Sequence, residues 1–300
     1  MSDSSPQGVL VCDKPQGITS HGVVSRIRRW FGTRKVGHAG TLDPMATGVL
    51  VLGLGRGTKL LGYITGAPKT YLATIRLGSG TPTDDADSAP DVVADPVALA
   101  AVTREDIASG IASLTGVIEQ VPSAVSAIKV DGVRSYARVR KGEAVELRAR
   151  EVEVSRFDAH DVRVGDGFID IDVEVDCSSG TYIRALARDL GARLGVHGHL
   201  TALRRTRVGA FGIDDAVVIP ADLDVPVPRL ITLAEAARSL FPSVDVDAGQ
   251  AKALMQGRTV GVEAPAAGEF AVLSEGELIS IAEARTGGIK SLTAFAPHLA

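Results

Sequence analysis

The sequence predicts an α+β protein: one large domain over about residues 1–240, followed by a small β-rich module over 241–300. Apolar residues recur at helical spacing in some stretches, such as Val23, Val24, Ile27, Trp30 and Phe31, and at every second position in others, such as Ile169, Ile171, Val173 and Val175. Three hundred residues, 45% apolar and 23% charged, suffice for a sizeable core and suit a globular chain. Beyond Pro242 the texture changes to short apolar runs punctuated by glycine, which marks the second module.

The elements follow in order. Val9 to Cys12 reads as a strand running into the turn Asp13-Lys14-Pro15-Gln16-Gly17. Ser20 is the expected N-cap of the first helix, which carries Arg26, Arg28 and Arg29 and is followed by Arg34 and Lys35. Residues 37 to 50 then read as a glycine-rich turn that presents one carboxylate, Asp43. Pro44 biases Asp43 away from helical backbone, and the apolar run Val49 to Leu52 anchors the turn. Gly53 to Lys59 lacks the spacing of a nucleotide-phosphate loop and reads as a strand-to-helix connection.

Tyr71, Ala73, Ile75 and Leu77 define a strand that runs out into the acidic stretch Thr81 to Asp95, expected to be an exposed loop. A helix starts near Thr103. From Lys129 to Arg150 there are seven Lys or Arg against three acids, with Tyr136 among them, a mixture suited to a groove that tracks a phosphate backbone. The strand carrying Ile169 to Val175 alternates with Asp170, Asp172, Glu174 and Asp176, whose face is expected to be solvated. After Gly180 a helix opens with Tyr182 and Arg184 in its first turn. An arginine there opposes the helix dipole, so Arg184 calls for an anionic partner. Leu200 to Phe211 is a further strand with basic residues, and Thr232-Leu233-Ala234-Glu235 is a capping box.

Composition narrows the function classes. A formal net charge of −4 excludes a uniformly cationic surface but leaves room for local basic ones. Cys12 and Cys177, far apart and without ligand spacing, fit a reducing compartment and structural roles. No stretch has the length and apolarity of a membrane span, and the first residues carry no signal pattern, so a cytoplasmic protein is expected.

Taken together, the motifs resemble those of bacterial tRNA pseudouridine synthases of the TruB type. The resemblance starts at Asp13 to Ser20 and peaks at Gly37-His38-Ala39-Gly40-Thr41-Leu42-Asp43-Pro44-Met45-Ala46-Thr47-Gly48. It continues through Lys69-Thr70-Tyr71, Thr83-Asp84-Asp85, Ser126 to Gly132, Gly180 to Arg184 and Leu203-Arg204-Arg205. The chain departs from the usual pattern near Pro122-Ser123-Ala124-Val125, where a second proline and an aromatic are common, and over Tyr136 to Gly142.

The resemblance implies a pseudouridine synthase fold with a central mixed, mostly antiparallel sheet flanked by helices. It also implies an RNA-binding thumb over about 120–150 and a PUA-like C-terminal domain. It implies isomerisation of uridine 55 in the T-loop of tRNA, with no cofactor, no metal, no membrane and no obligatory protein partner. Asp43 would be the essential carboxylate, whether it attacks the sugar, adds to C6 or removes a ribose proton. Arg184 would pair with it, and Tyr71 would stack on the flipped base. Tyr182, Leu203, His38, Lys14, Lys129 and Arg205 would contact the substrate. Two other classes use some of the same features, a tRNA-binding or folding factor and a uridine glycosylase. The latter releases free uracil, whereas isomerisation releases nothing.

Overall fold

Apolar runs near the N-terminus form β1 (Gly8–Lys14), β2 (Val36–Ala39), β3 (Thr47–Leu54) and β4 (Lys69–Leu77), with α1 (Ser20–Trp30) and α2 (Leu61–Gly66) between them. The short strands β5 (Ser79–Gly80) and β6 (Val92–Val93) bracket the acidic loop. Then come α3 (Pro96–Ala101), α4 (Arg104–Ala112) and β7 (Gly116–Gln120). The pair β8 (Lys129–Val130) and β9 (Val133–Arg134) precedes a long hairpin, β10 (Arg150–Gly165) and β11 (Phe168–Cys177). There follow α5 (Ile183–Arg193), β12 (Gly198–Val208), β13 (Phe211–Gly212), β14 (Val217–Val218) and α6 (Leu233–Leu240). The C-terminal part holds β15 (Ser243–Asp245), α7 (Ala248–Met255), β16 (Glu269–Ser274), β17 (Glu277–Arg285) and β18 (Gly288–Ala294).

The structure is a computed structural model that describes residues 5–123, 129–130, 133–134 and 148–295. The segment expected to act as a thumb is therefore described only at its ends and at the β8–β9 pairing. The side chain of Lys129 and the whole of Tyr136 lie outside the described residues.

The main sheet runs β14-β1-β3-β12-β4-β11-β10-β7, with β2 and β13 paired beside β3 and β12. It is antiparallel except where β1 meets β14 and where β3 meets β12. One side of β3 is shared. Its C-terminal half pairs with β2, while Thr47 and Gly48 pair with Arg204 and Arg205 of β12. The loop joining β2 to β3 leaves the sheet at this fork, and Asp43 sits in it.

Helices α4 and α5 cover one apolar cluster with β4, β11 and β12, while α1 packs on β1 and β3. The C-terminal sheet, ordered β15-β16-β17-β18, buries its own cluster of Val246, Leu254, Phe270 and Ile289 with α7. It shares a second cluster with the large domain, where Leu273 and Ile281 join Val9, Val51 and Ala236.

Three local expectations are corrected. Thr19, not Ser20, caps α1, accepting from the Gly22 N–H; Ser20 is buried and turns to Leu42. The acidic face of β11 is not left to solvent but paired across strands: Arg76 with Asp170 (2.7 Å), Thr74 with Asp172 (2.7 Å) and Arg156 with Asp176 (2.9 Å). The stretch Thr81 to Asp95 is not uniformly exposed, because Asp85 is buried at 2% exposure and lies 3.5 Å from Arg184.

Candidate active site

The Asp43 turn is held from three directions by buried side chains. Lys14 donates its ammonium to the carbonyls of Pro15 (3.0 Å) and Pro44 (3.3 Å). The Ser20 hydroxyl donates to the Leu42 carbonyl (3.0 Å) and accepts from the Leu42 N–H (2.9 Å). Arg205 donates to the carbonyls of Val49 (2.8 Å) and Gly40 (2.9 Å). The chain can enter and leave this turn because Gly40 and Gly48 adopt φ of +76° and +99°. At Gly48 a side chain would meet the Arg205 carbonyl oxygen at 2.1 Å.

Asp43 faces Arg184, whose Nη2 lies 2.9 Å from its Oδ2. The arginine side chain is 5% exposed and the carboxylate 37%, so the cation is fixed while the acid is open to a ligand. Arg184 also donates to the Thr83 carbonyl (2.7 Å) and lies 3.5 Å from Asp85 Oδ2. Burial pushes the Asp43 carboxyl above its usual pKa. The Arg184 charge and hydrogen bond pull it down, and Asp85 adds to the rise. The balance is upward, so Arg184 offsets only part of the desolvation that the carboxylate meets.

The acid opens onto a cleft of about 610 Å³ lined by Gly40 to Asp43, Gly62, Thr65, Gly66, Lys69, Tyr71, Ser179 to Arg184, Leu203 and Arg205. Tyr71, on β4, is buried, which raises its hydroxyl pKa; the Arg205 charge acts in the opposite sense. Leu203 and Arg205 arrive on β12, and Tyr182 is the N-cap of α5. The fold thus gathers Asp43, Tyr71, Arg184, Tyr182, Leu203 and Arg205 around one opening.

Other expected residues lie elsewhere. Lys14 has no exposed surface, and burial lowers its pKa to about 8 against the opposing pull of Asp43. His38, on β2, is half-buried, packs edge-on against His21 with ring centroids 5.9 Å apart, and does not line the cleft. Arg29, Arg34 and Lys35 are exposed, whereas Arg28 donates to the Val36 carbonyl at 3.1 Å and other basic residues are engaged internally. Arg26 donates to the Pro220 carbonyl (2.6 Å), and Arg204 pairs with Asp13 (2.7 Å). Sequence reasoning passed over four residues. Asp85 and Lys69 stood inside quoted motifs but were assigned no role. Ser20 was taken for a cap. Gln120 carried no signal, since its partner Tyr182 lies far along the chain.

Among the described residues, no group of His, Cys, Asp and Glu is arranged to hold a metal ion, and no helix is long and apolar enough to cross a membrane.

The N-terminal domain model of the TruB family pseudouridylate synthases matches residues 28–183, and the C-terminal domain model of tRNA pseudouridylate synthase B matches 184–224. Proteins named tRNA pseudouridine synthase B are close relatives. That of Leifsonia xyli is 55% identical over 292 residues, 96% of each chain. That of Streptomyces griseus is 52% identical over 299 residues, 98% of each. That of Cutibacterium acnes is 54% identical over 274 residues, 91% of this chain and 92% of its own. Among solved structures, a chain of an H/ACA RNP bound to a substrate RNA containing 2'-deoxyuridine gives a TM-score of 0.72 at 24% identity. The match covers 97% of this chain and 86% of that one. A chain of a Cbf5-Nop10-Gar1 complex gives 0.70 at 24% identity, with 97% and 85% covered. These two likenesses speak to fold. The ordered motifs around Asp43, Tyr71 and Arg184, the fold that gathers them and the full-length relatives converge: the chain belongs to the TruB family of pseudouridylate synthases.

Proposed function

We propose that this chain isomerises uridine 55 in the T-loop of tRNA to pseudouridine, with Asp43 as the essential carboxylate. The N1 glycosidic bond breaks, the uracil turns, C5 bonds to the same sugar carbon, and the C5 proton leaves while N1 takes one up, so no atom is gained or lost. The observation that carries this reading is the Asp43–Arg184 pair at the mouth of a cleft with room for a flipped nucleotide, walled by Tyr71, Tyr182 and Leu203.

The target base must leave its stack to reach Asp43, at a cost of roughly a few kcal/mol, which stacking on an aromatic ring offsets at about 1–3 kcal/mol. Tyr71 is the proposed ring partner and Tyr182 and Leu203 the walls. Arg184 keeps Asp43 ionised against the burial that opposes it. Lys14 and Arg205 act by fixing the Asp43 turn through its carbonyls, and Arg205 also borders the cleft. His38 and Lys129 are proposed contacts to nucleotides beyond the target base. We assign residues 1–240 to catalysis and 241–300 to a PUA-like RNA-binding module, acting in the cytoplasm on the tRNA T-arm without an obligatory protein partner. Exposed basic residues such as Arg29 and Arg34 would meet phosphates, so affinity falls as salt rises.

The test is the purified chain on a minimal T-stem-loop. Wild type should form pseudouridine without free uracil, and Asp43→Asn should form none while still binding the RNA. Full activity of Asp43→Asn would sink the assignment, and free uracil would replace isomerisation with glycosylase chemistry.

A further inference from the structure

We infer that Gln120 is a positioning residue for the reaction, its side-chain amide fixing the turn that presents Tyr182 and Arg184 to the cleft. This rests on the site reading given above. Gln120 ends β7 and is 2% exposed. Its Oε1 accepts from the Tyr182 N–H at 2.8 Å, and its Nε2 donates to the Tyr182 carbonyl at 3.1 Å. One side chain thus satisfies both backbone groups of a residue that lines the cleft. A carboxamide supplies an acceptor and a donor side by side, which no apolar or ionised side chain of that length can do.

Tyr182 is also where α5 begins. It is the N-cap, it makes no side-chain capping hydrogen bond among the described residues, and its carbonyl accepts from the Leu186 N–H at 3.2 Å. The preceding turn runs through Gly180 at φ +89°, and the Thr181 hydroxyl donates to the Ser178 carbonyl at 3.0 Å. The Gln120 amide is a further fixed point of this turn. The adjacent residue grips the same helix one turn on: Arg188 donates to the Val121 carbonyl at 2.7 Å. Arg188 also meets Asp84 at 3.2 Å, and the neighbouring Asp85 faces Arg184. Release of the Gln120 amide would shift the Tyr182 ring and the Arg184 fork without removing any group that touches substrate.

The experiment uses full-length Gln120→Met and Gln120→Glu on the T-stem-loop, with single-turnover rate and RNA Kd measured separately and Asp43→Asn as control. Gln120→Met should slow the rate about 10- to 100-fold. Its Kd should stay within about threefold of wild type, the signature of an interaction that matters after binding. Gln120→Glu should be as slow near neutral pH, because a carboxylate oxygen then opposes the Tyr182 carbonyl. It should recover relative to wild type as pH falls to about 5.5, since the protonated acid again offers donor and acceptor. The charged groups on elements packed around this position include Arg150 across the ladder and Glu151 beside it on β10, Glu119 on β7, Arg184, Arg188 and Asp189 on α5, and Asp84 beyond Arg188. A wild-type rate for Gln120→Met, a change confined to Kd, or a Gln120→Glu rate ratio that is flat with pH overturns the inference. If Gln120→Met does not fold, the Gln120→Glu series decides alone. An active Asp43→Asn removes the site reading itself, whereas an inactive Asp43→Asn beside a normal Gln120→Met removes only the role of Gln120.

Discussion

Arg184 serves two carboxylates at once, Asp43 at 2.9 Å and Asp85 at 3.5 Å. Its position in the first turn of α5 opposes the helix dipole, and that conflict alone announced an anionic partner in the sequence. The second partner was hidden, because Asp85 sits among acids that read as solvated and is drawn inward only by folding. The arrangement sets a pH signature. Asp43 must be ionised to act, and its pKa is raised, chiefly by burial. Activity therefore falls as pH drops through that raised value, with an acid limb above the usual aspartate value of about 3.9. Asp85→Asn removes a like charge and should move the limb to lower pH. Arg184→Gln removes the countercharge; it should move the limb up and slow the rate by roughly 100-fold or more. Single-turnover rate profiles on the T-stem-loop measure both, and an upward shift in Asp85→Asn would contradict the charge assignment.

At the scale of elements, the fork on β3 decides where the chemistry sits. Ser20 binds both backbone groups of Leu42, so Ser20→Ala leaves a buried N–H and C=O without their partner and should cost about 1–3 kcal/mol in urea unfolding. Gly48→Ala should cost about 2–5 kcal/mol, since its φ is +99° and the new methyl would lie 2.1 Å from the Arg205 carbonyl oxygen. Such strands and helices were legible because periods of two and 3.6 survive in the sequence. Their side-chain partners were not. Thr19 and Ser20 are adjacent hydroxyl residues, and which one caps α1 depends on Leu42 claiming the other. The acidic face of β11 looked wet for the same reason, as Arg76 and Arg156 stand on neighbouring strands.

Across the whole molecule, the texture change near Pro242 disclosed the small C-terminal sheet but not its docking. Apolar residues of β16 and β17 read alike whether they face their own helix or the large domain. The docking is also polar. Arg56 and Lys59 donate to the carbonyls of Phe295 and Ala294, each at 2.6 Å, and Tyr63 meets Thr293 at 2.9 Å. Buried titratable groups give the fold a stability profile at alkaline pH. Burial lowers Lys14 and Lys69 from 10.5 to about 8, so above that pH the unfolded chain holds protons the folded one has lost, and stability rises with pH. Burial raises Cys12 and Cys177 above their usual 9.0, Cys177 to about 11, so above pH 9.0 the folded chain keeps two protons the unfolded one has lost, which offsets the two that the lysines release. Urea unfolding from about pH 7.5 to about pH 10 should show stability rising from about pH 8 and levelling above about pH 9, and Lys14→Met should reduce the rise.

The bolted turn around Asp43 has one more consequence. Gly40, Leu42 and Pro44 are each held by a buried side chain, so the carboxylate is a stationary anvil and the bending in the encounter belongs to the RNA. A substrate is then chosen partly by suppleness. Among stem-loops of equal charge, the one whose loop opens most readily should reach the acid first.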